Sequence, residues 1–224
     1  MKTIAIIGAD PGLGLSIAKR FGAEGFRIAL LSRNAAKLNT LVQELSALNI
    51  EARAYPADAS DLDALRSSLQ KMKQDFGSID VLEFSPYAGF ETFVHALQVR
   101  PEDAEAQLHS YVLPAILAVN EILPDMLTRG KGAFLFTTGY SAMTPMPMVG
   151  NAGIAMSGLR NYITNLHNEL KTKSIYIGHL SIGTLIAPGT EGDPDIIAEA
   201  WYSMYAQQTT FEATFPAVIS LPSN

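Results

Sequence analysis

Residues 3–14, which read TIAIIGADPGLG, decide the fold of this chain. The apolar run 4–7 is far too short to span a membrane and has the length of a buried strand in a parallel sheet. Gly8, Gly12 and Gly14 follow at once, and apolar residues then recur at helical spacing from Leu13 onward. The predicted order is therefore strand, glycine-rich turn and helix.

The start of that helix is a predicted site for a pyrophosphate group. The first amides of a helix have no partner within the helix, and the helix dipole attracts anions there. Glycines remove the Cβ atoms that would hold a phosphate away from the backbone. Asp10 and Leu13 belong to the same turn and are further candidate contacts. The alternative is an ordinary left-handed turn between two core elements, but three glycines exceed what one turn needs.

Composition excludes several classes of protein. The chain has 224 residues, 48% of them hydrophobic, so we expect a single domain over residues 1–224 with one sizeable core. A net charge of −6 argues against a nucleic-acid surface. The absence of cysteine excludes disulfides and cysteine catalysis. We see no signal peptide and no apolar stretch near the roughly 20 residues of a spanning helix, and we expect a soluble, cytoplasmic protein without a membrane partner.

Strands and helices alternate along the rest of the chain. Further strands are predicted at 27–32, 52–56, 79–84, 132–138, 174–181 and 215–221. Helices are predicted around 38–48, at 62–76, 103–129 and 152–172, and from Asp193 onward, with Pro114 and Pro124 bending or interrupting the third of them. This alternation predicts an α/β fold with a doubly wound parallel sheet and helices on both faces, a three-layer α/β/α arrangement. The ligand crevice is expected at the carboxyl ends of the strands, where strand order reverses.

The end of the second predicted strand indicates which nucleotide binds. In dinucleotide-binding folds an acidic residue there binds the adenosine ribose, whereas an arginine accommodates a 2′-phosphate. This chain has Ser32, Arg33 and Asn34, with no acid, and Arg33 lies 19 residues after Gly14. The pattern favours NADP(H) over NAD(H). The alternative is a solvated arginine at the start of a surface helix.

Asp58 and Ala59 directly follow the third predicted strand. They are candidates for binding the edge of an adenine ring, and an Asp58 that merely caps the next helix is an equal alternative.

These motifs resemble the short-chain dehydrogenase/reductase family, and the resemblance covers nearly the whole chain. It depends on the glycine pattern of residues 8–14, on Ser32-Arg33, on Asp58-Ala59, on residues 79–82 and on the order of the elements. It implies a Rossmann-type sheet of about seven strands, a nicotinamide cofactor and a homodimer or homotetramer. By the same resemblance, the helices 103–129 and 152–172 are expected to form the subunit interface.

Other positions are carried over from the family by alignment. Where the family has Asn-Asn-Ala-Gly after the fourth strand, this chain has residues 84–87, so Ser85 and Pro86 are expected to line the cofactor's ribose. Gly183, after the sixth strand, is expected to let the backbone approach the nicotinamide.

The family's catalytic motif is altered. The resemblance implies a tyrosine as general acid–base and a lysine four residues later, but the aligned positions hold Val149 and Gly153. Thr138 stands at the end of the strand that carries the family's catalytic serine and is a candidate hydroxyl donor, and the family's asparagine falls near Tyr111. An alkoxide formed by hydride delivery needs a proton, which valine cannot supply, and a positioned acid–base group contributes about 10²–10⁴-fold.

Tyr140 is a candidate replacement acid because it follows the same strand end, although an ordinary tyrosine in a surface loop is the favoured explanation. The loop 143–148 is apolar and is expected either to rim the substrate side or to be a buried loop. A small, apolar carbonyl-type ligand suits such a site.

The sequence thus predicts an NADP(H)-binding oxidoreductase with a degenerate or non-standard catalytic site. The alternatives are a non-catalytic dinucleotide-binding protein that acts as a sensor or partner subunit, and a non-redox enzyme that reuses the pocket.

Overall fold

A computed structural model describes residues 1–217, and these form one seven-stranded sheet in which every strand pair is parallel. The strands are β1 (Thr3–Ile7), β2 (Arg27–Ser32), β3 (Ala52–Pro56), β4 (Val81–Phe84), β5 (Gly132–Gly139), β6 (Ile175–Ile182) and β7 (Glu212–Phe215). Their order in the sheet is β3-β2-β1-β4-β5-β6-β7. The predicted doubly wound parallel sheet is confirmed.

Helices cover both faces of the sheet and complete the three layers. They are α1 (Leu13–Ala23), α2 (Ala35–Ala47), α3 (Leu62–Phe76), α4 (Pro101–Gln107), α5 (Leu113–Arg129), α6 (Gly150–Leu170) and α7 (Pro194–Gln207). Buried side chains of α1, α2 and α7 pack on one face, and those of α3, α5 and α6 pack on the other.

Strand β1 lies at the switch point of the sheet. Ile4–Ile7 are fully buried because both faces of this strand are covered. At its carboxyl end Ile7 is in register with Leu31 of β2 on one side and with Phe84 of β4 on the other. The chain leaves β1 toward β2 and returns to β4, so the loops after β1 and β4 diverge and open a crevice.

The long helical segment between β4 and β5 is continuous but not uniform. A π-helical turn, Leu108–Val112, joins α4 to α5 directly before Pro114, which lies in the first turn of α5 and needs no helical N–H there. Pro124 lies inside α5 without ending it. The expected interruption therefore occurs as a π-turn, and it occurs at one proline only.

The same segment corrects the expectation that no apolar stretch approaches the length of a membrane-spanning helix. By length and composition alone, one helix among the described residues, Pro101–Arg129, could cross a membrane, with 44% of its most apolar window buried. The core helix of a folded domain meets the same criterion, and the apolar side chains of α5, such as Ile122 and Met126, pack in the core beneath the sheet.

The last strand differs from its prediction. It was expected at 215–221 but lies at Glu212–Phe215, in register with residues 179–182 of β6, and residues 218–221 lie outside the described part. The sequence of β7 alternates polar and apolar residues, as suits an edge strand. The stretch 215–221 is more apolar, and this composition led to the incorrect prediction. Pro216 has no N–H for a further ladder bond. Strand β4 begins two residues later than predicted, and helix α6 begins and ends two residues earlier than predicted.

Candidate active site

The glycine-rich turn after β1 needs two of its glycines for steric reasons. Gly8 has a φ of 98°, and a Cβ built on it would lie 2.6 Å from the backbone of Pro86. A Cβ on Gly14 would lie 2.8 Å from the Cα of Ala9. Only glycine therefore lets this turn pack against the loop after β4 and under the start of α1.

Gly12 leaves open space at the N-terminus of α1. A Cβ there would meet nothing closer than the Asp10 carboxylate, at 3.4 Å. Gly12 gives the helix no side-chain cap, and within residues 1–217 the amides of Gly12 and Leu13 have no acceptor. The Gly14 amide donates to Asp10 at 2.9 Å. Space beside free amides at the positive end of a helix fits the phosphates of a dinucleotide.

A polar cavity of about 470 Å³ extends from this turn past the ends of β2 and β3. Arg33 lines it and is exposed, and among the described residues its guanidinium forms no ion pair. Lys37 lines the same cavity and adds a second cation that the sequence alone did not indicate. The predicted contacts that lie here are Ser32, Arg33, Asn34, Asp58 and Ala59.

Two of these residues also have local structural roles. Asn34 is the N-cap of α2, and its Oδ1 accepts a hydrogen bond from the Lys37 amide at 3.0 Å. Asp58 accepts hydrogen bonds from the amide and hydroxyl of Ser60, at 2.9 and 2.7 Å. Helix α3 is capped by Asp61, so the alternative in which Asp58 caps that helix is wrong.

An apolar cavity of about 570 Å³ continues from the turn across the ends of β4, β5 and β6. It shares Gly8, Asp10, Pro86 and Tyr87 with the polar cavity, so the two form one crevice. Apolar side chains dominate its lining and include Phe90, Phe93, Met146, Met156, Leu185 and Ile186.

The predicted cofactor-side residues after β4 and β6 line this apolar half. Ser85, Pro86 and Gly183 all face the cavity. The Gly183 amide donates to the Phe215 carbonyl at 2.8 Å, so Gly183 offers a ligand space but no free hydrogen-bond donor.

The loop 143–148 lies at the rim of the cavity. Met146 faces the cavity, and Met148 is 71% exposed. The alternative of a buried loop is therefore wrong.

The loop 85–94 after β4, called the aromatic loop for Tyr87, Phe90 and Phe93, is held in place by hydrogen bonds to buried side chains. Asn151 of α6 is fully buried, accepts from the Val94 amide at 2.8 Å and donates to the Thr92 carbonyl at 2.9 Å. The Tyr111 hydroxyl accepts from the Ala88 amide at 3.0 Å, and burial raises the pKa of Tyr111. Tyr111 is thus a neutral buried group that supports the loop from the π-helical turn.

Val149 and Gly153, the positions predicted to correspond to the family's acid–base pair, carry no titratable group, and that correspondence stays a prediction. Val149 lines the apolar cavity just before α6, and Gly153 follows one turn into that helix, where a Cβ would lie 3.9 Å from Ser141. Tyr140 lines the cavity, but within the described chain its hydroxyl has no hydrogen-bond partner that would tune or reprotonate it. Of the two predicted catalytic side chains, Thr138 therefore has a side-chain hydrogen-bond partner among the described residues and Tyr140 does not.

Thr138 lies at one end of a buried chain of hydrogen bonds. Its Oγ1 is 2.8 Å from Nε2 of His179, and Nδ1 of His179 is 3.0 Å from Oε1 of Glu212. Arg160 of α6 donates to both carboxylate oxygens of Glu212, at 2.8 and 2.6 Å. Thr138 also faces the apolar cavity, although it is only 3% exposed. The cavity therefore communicates with a threonine–histidine–glutamate series.

The charge state of this series follows from its partners. The guanidinium of Arg160 lowers the pKa of Glu212, so the carboxylate is ionised and can only accept hydrogen bonds. Burial lowers the pKa of His179, because the ring is fully buried and the charge of Glu212 is already balanced by Arg160. Neutral His179 must then donate from Nδ1 to Glu212, which leaves Nε2 to accept from the Thr138 hydroxyl.

A fully buried acid, Glu83, lies near the crevice on the opposite face of the sheet from His179. Glu83 of β4 is fully buried, and burial raises its pKa to about 8. Its two carboxyl oxygens lie 2.9 Å from the Ser85 hydroxyl and 3.0 Å from that of Thr137. Trp201 of α7 in turn donates to Thr137 at 3.0 Å. Below that pKa this carboxyl is a neutral, hydrogen-bonded group.

The sequence alone did not indicate His179, Glu212 or Glu83. Among the described residues, no cluster of three possible metal ligands exists. The signal that could have found His179 is the strand register, because Thr138 is paired with Ser181 on β6 and His179 lies two residues before that on the same face.

Known proteins agree with this architecture. Residues 2–192 match the model of the short chain dehydrogenase family, so the chain belongs to the short-chain dehydrogenase/reductase family of oxidoreductases. Oxidoreductase asL5 of Sarocladium schorii is 26% identical over 207 residues, which are 92% of this chain and 80% of that protein.

Two solved structures show the same fold. A short-chain dehydrogenase from Rhodopseudomonas palustris is 26% identical, with a TM-score of 0.84 and 99% of each chain covered. An alcohol dehydrogenase from the archaeon Thermococcus sibiricus, complexed with 5-hydroxy-NADP, is 21% identical, with a TM-score of 0.87 and all of both chains covered.

Proposed function

We propose that this protein is an NADP(H)-dependent oxidoreductase for a small, apolar alcohol or carbonyl compound. The observation that carries the proposal is one continuous crevice. Its polar half contains Arg33, which has no ion-pair partner among residues 1–217, and its apolar half contains both the hydroxyl of Thr138 and the free helix-terminal amides of Gly12 and Leu13. Membership of the family supports the reaction class. The NADP-type ligand of the Thermococcus sibiricus enzyme supports the choice of nucleotide.

Each part of the crevice suits one part of the nucleotide. The amides of Gly12 and Leu13 suit the pyrophosphate, and the Asp10 carboxylate suits a ribose hydroxyl better than a phosphate oxygen because like charges repel. Arg33 and Lys37 suit a 2′-phosphate, since guanidinium and ammonium groups form strong charge-assisted hydrogen bonds to phosphate. The bound nucleotide supplies or accepts a hydride, and the apolar walls keep water from the reacting carbon.

A non-catalytic nucleotide-binding protein is the second candidate. It is supported by the predicted correspondence of Val149 and Gly153 with the family's tyrosine and lysine, because neither side chain can move a proton.

Calorimetry followed by turnover assays separates the two candidates. We expect NADP⁺ and NADPH to bind more tightly than NAD⁺ and NADH. A panel of apolar secondary alcohols, ketones, aldehydes and quinones is then screened for a change in the absorbance of the reduced nicotinamide. Binding with turnover supports the oxidoreductase, and binding without any turnover supports the second candidate. Failure to bind either nucleotide contradicts both.

A homodimer or homotetramer built on α5 and α6 stays a prediction. It is supported by an exposed apolar side chain on each helix, Leu127 at 41% and Ile154 at 51% exposure. A monomer by light scattering would contradict it. The expected cytoplasmic location also stays a prediction.

A further inference from the structure

We propose that the hydrogen-bonded series Thr138–His179–Glu212 takes over the proton transfer that the family assigns to tyrosine and lysine, with His179 accepting the substrate's proton through the Thr138 hydroxyl. This inference rests on the proposed oxidoreductase function and names the proton path within it. Thr138 is the catalytic residue, because it faces the cavity. His179 acts through Thr138 and is a positioning residue.

The geometry is that of an activated hydroxyl. A hydroxyl within hydrogen-bond reach of an imidazole, which is itself oriented by a carboxylate, is the arrangement by which proteins make a hydroxyl exchange its proton. Here the two distances are 2.8 and 3.0 Å. A carboxylate that must accept from Nδ1 selects the tautomer in which Nε2 faces Thr138 with a lone pair.

The surroundings of the ring keep it in the proton-accepting form. His179 is fully buried between β5, β7 and α6. The charged and polar groups that face it are Glu212 from β7, Arg160 from α6 and the hydroxyls of Thr138 and Ser181. Since the positive charge of Arg160 balances the carboxylate, a proton on the ring is not trapped there.

The series favours alcohol oxidation as the direction that it assists directly. An oxidised nicotinamide held in the crevice would accept the hydrogen of the carbinol C–H bond together with its electron pair, as a hydride. The substrate O–H proton passes to Oγ1 of Thr138 while the proton of Thr138 moves to Nε2 of His179. The products are a ketone, the reduced nucleotide and a protonated His179. The reverse reaction uses the same path, with His179 protonated at the start.

A structural interpretation competes with this one. The same hydrogen bonds tie the edge strand β7 to β6 and α6, and a purely structural role predicts lower thermal stability on mutation without an effect on a pH profile. Three variants separate the two interpretations. Thr138→Ser keeps the hydroxyl, Thr138→Val keeps the shape without it, and His179→Gln keeps a hydrogen-bonding group that cannot take a proton at neutral pH.

The kinetic test uses 1-phenylethanol and NADP⁺, or the best alcohol found in the screen. We expect Thr138→Ser to stay within about tenfold of wild type, whereas Thr138→Val and His179→Gln lower kcat by about 10²–10⁴-fold. The Kd for NADP⁺, measured by calorimetry, should change less than about twofold in all three variants, because His179 and Thr138 lie outside the polar cavity.

The pH profile gives the readout that a structural role would not move. Burial lowers the pKa of His179 from the ordinary value of 6.5, so wild-type kcat should rise with pH through a limb below 6.5 and then level off. His179→Gln should lack that limb. If His179→Gln does not fold, His179→Asn, which keeps the bond to Glu212, replaces it.

Nitrogen NMR of ¹⁵N-histidine-labelled protein tests the series without turnover. At neutral pH we expect His179 to show a protonated Nδ1 and an unprotonated Nε2, whose shift changes in Thr138→Val but not in Tyr140→Phe. A protonated Nε2 would overturn the proposal even if no alcohol is oxidised. Equal kcat in Thr138→Ser and Thr138→Val would overturn it too. So would a stable acyl group on Thr138 after incubation with p-nitrophenyl acetate, since the hydroxyl would then be a nucleophile.

Discussion

Replacing Arg33 with alanine should abolish the preference for NADPH that we propose for the nucleotide site. The guanidinium is exposed in the polar cavity and has no ion-pair partner among the described residues, so nothing within them competes for it. Two unit charges about 4 Å apart interact by about 1 kcal/mol in water and by about 4 kcal/mol at an effective dielectric of about 20. For a solvent-exposed guanidinium the lower half of that range applies.

The expected result is a rise of about 10- to 50-fold in the Kd for NADPH, and of less than about twofold for NADH, which has no 2′-phosphate. The Kd of the wild-type protein for NADPH should also rise with salt, because the screening length falls from about 10 Å at 0.1 M to about 3 Å at 1 M. This salt dependence should weaken in Arg33→Ala.

Isothermal titration calorimetry with both nucleotides, at two salt concentrations, measures all four Kd values. Lys131→Ala is the matched control, because it removes the same charge from an exposed position just before β5, at the amino ends of the strands and away from the crevice at their carboxyl ends. Equal weakening of NADPH and NADH by Arg33→Ala would refute the assignment of Arg33 to a 2′-phosphate. Loss of NADPH preference in Lys131→Ala as well would show a general charge effect instead.

Three further predictions follow from buried and lining groups. Gly12→Val should abolish nucleotide binding because its side chain enters the open phosphate space, and it should also lower Tm because the Gly12 backbone, at φ −90° and ψ −112°, disfavours valine; Gly158→Val, also in open space, is the calorimetric control. Glu83→Gln should remove a pH dependence of the free energy of unfolding. The pKa of Glu83 is about 8 in the folded chain and 4.5 in the unfolded chain, so the wild-type protein should lose about 5 kcal/mol of stability as pH rises between those values. Urea unfolding of Glu83→Gln at several pH values should not show that loss. Val149→Tyr with Gly153→Lys should raise kcat for ketone reduction about 10- to 100-fold, measured by NADPH oxidation, and unchanged kcat would show that the cavity cannot position the pair.

The sequence predicts the first half of the site because its signals are local. The strand at 4–7, the glycines at 8, 12 and 14 and the helix that follows are contiguous, and each has one backbone reason for being there. Arg33 could be placed because it ends the second strand of the same unit. The family resemblance supplied the positions of Ser85 and Pro86.

The second half of the site depends on contacts between residues that are distant in the sequence. Thr138 and His179 are 41 positions apart, and His179 and Glu212 are 33 positions apart. Their contact follows from the exact register of three strands and from the position of β7, which the sequence misplaced. A register error of one residue turns each side chain to the opposite face, so period-2 patterns alone could not pair them.

The anchoring of the aromatic loop by Asn151 bears on how specificity changes in such a protein. The loop backbone is hydrogen-bonded to Asn151 of α6 at Thr92 and Val94, whereas Phe90 and Phe93 face the apolar cavity and pack edge-to-face on each other and on Tyr87. A change of ring size at these two positions therefore alters the volume of the apolar cavity and the packing within the loop, while the two backbone hydrogen bonds to Asn151 do not depend on the rings. Specificity can thus change through the size of the apolar cavity while the backbone around it keeps its position.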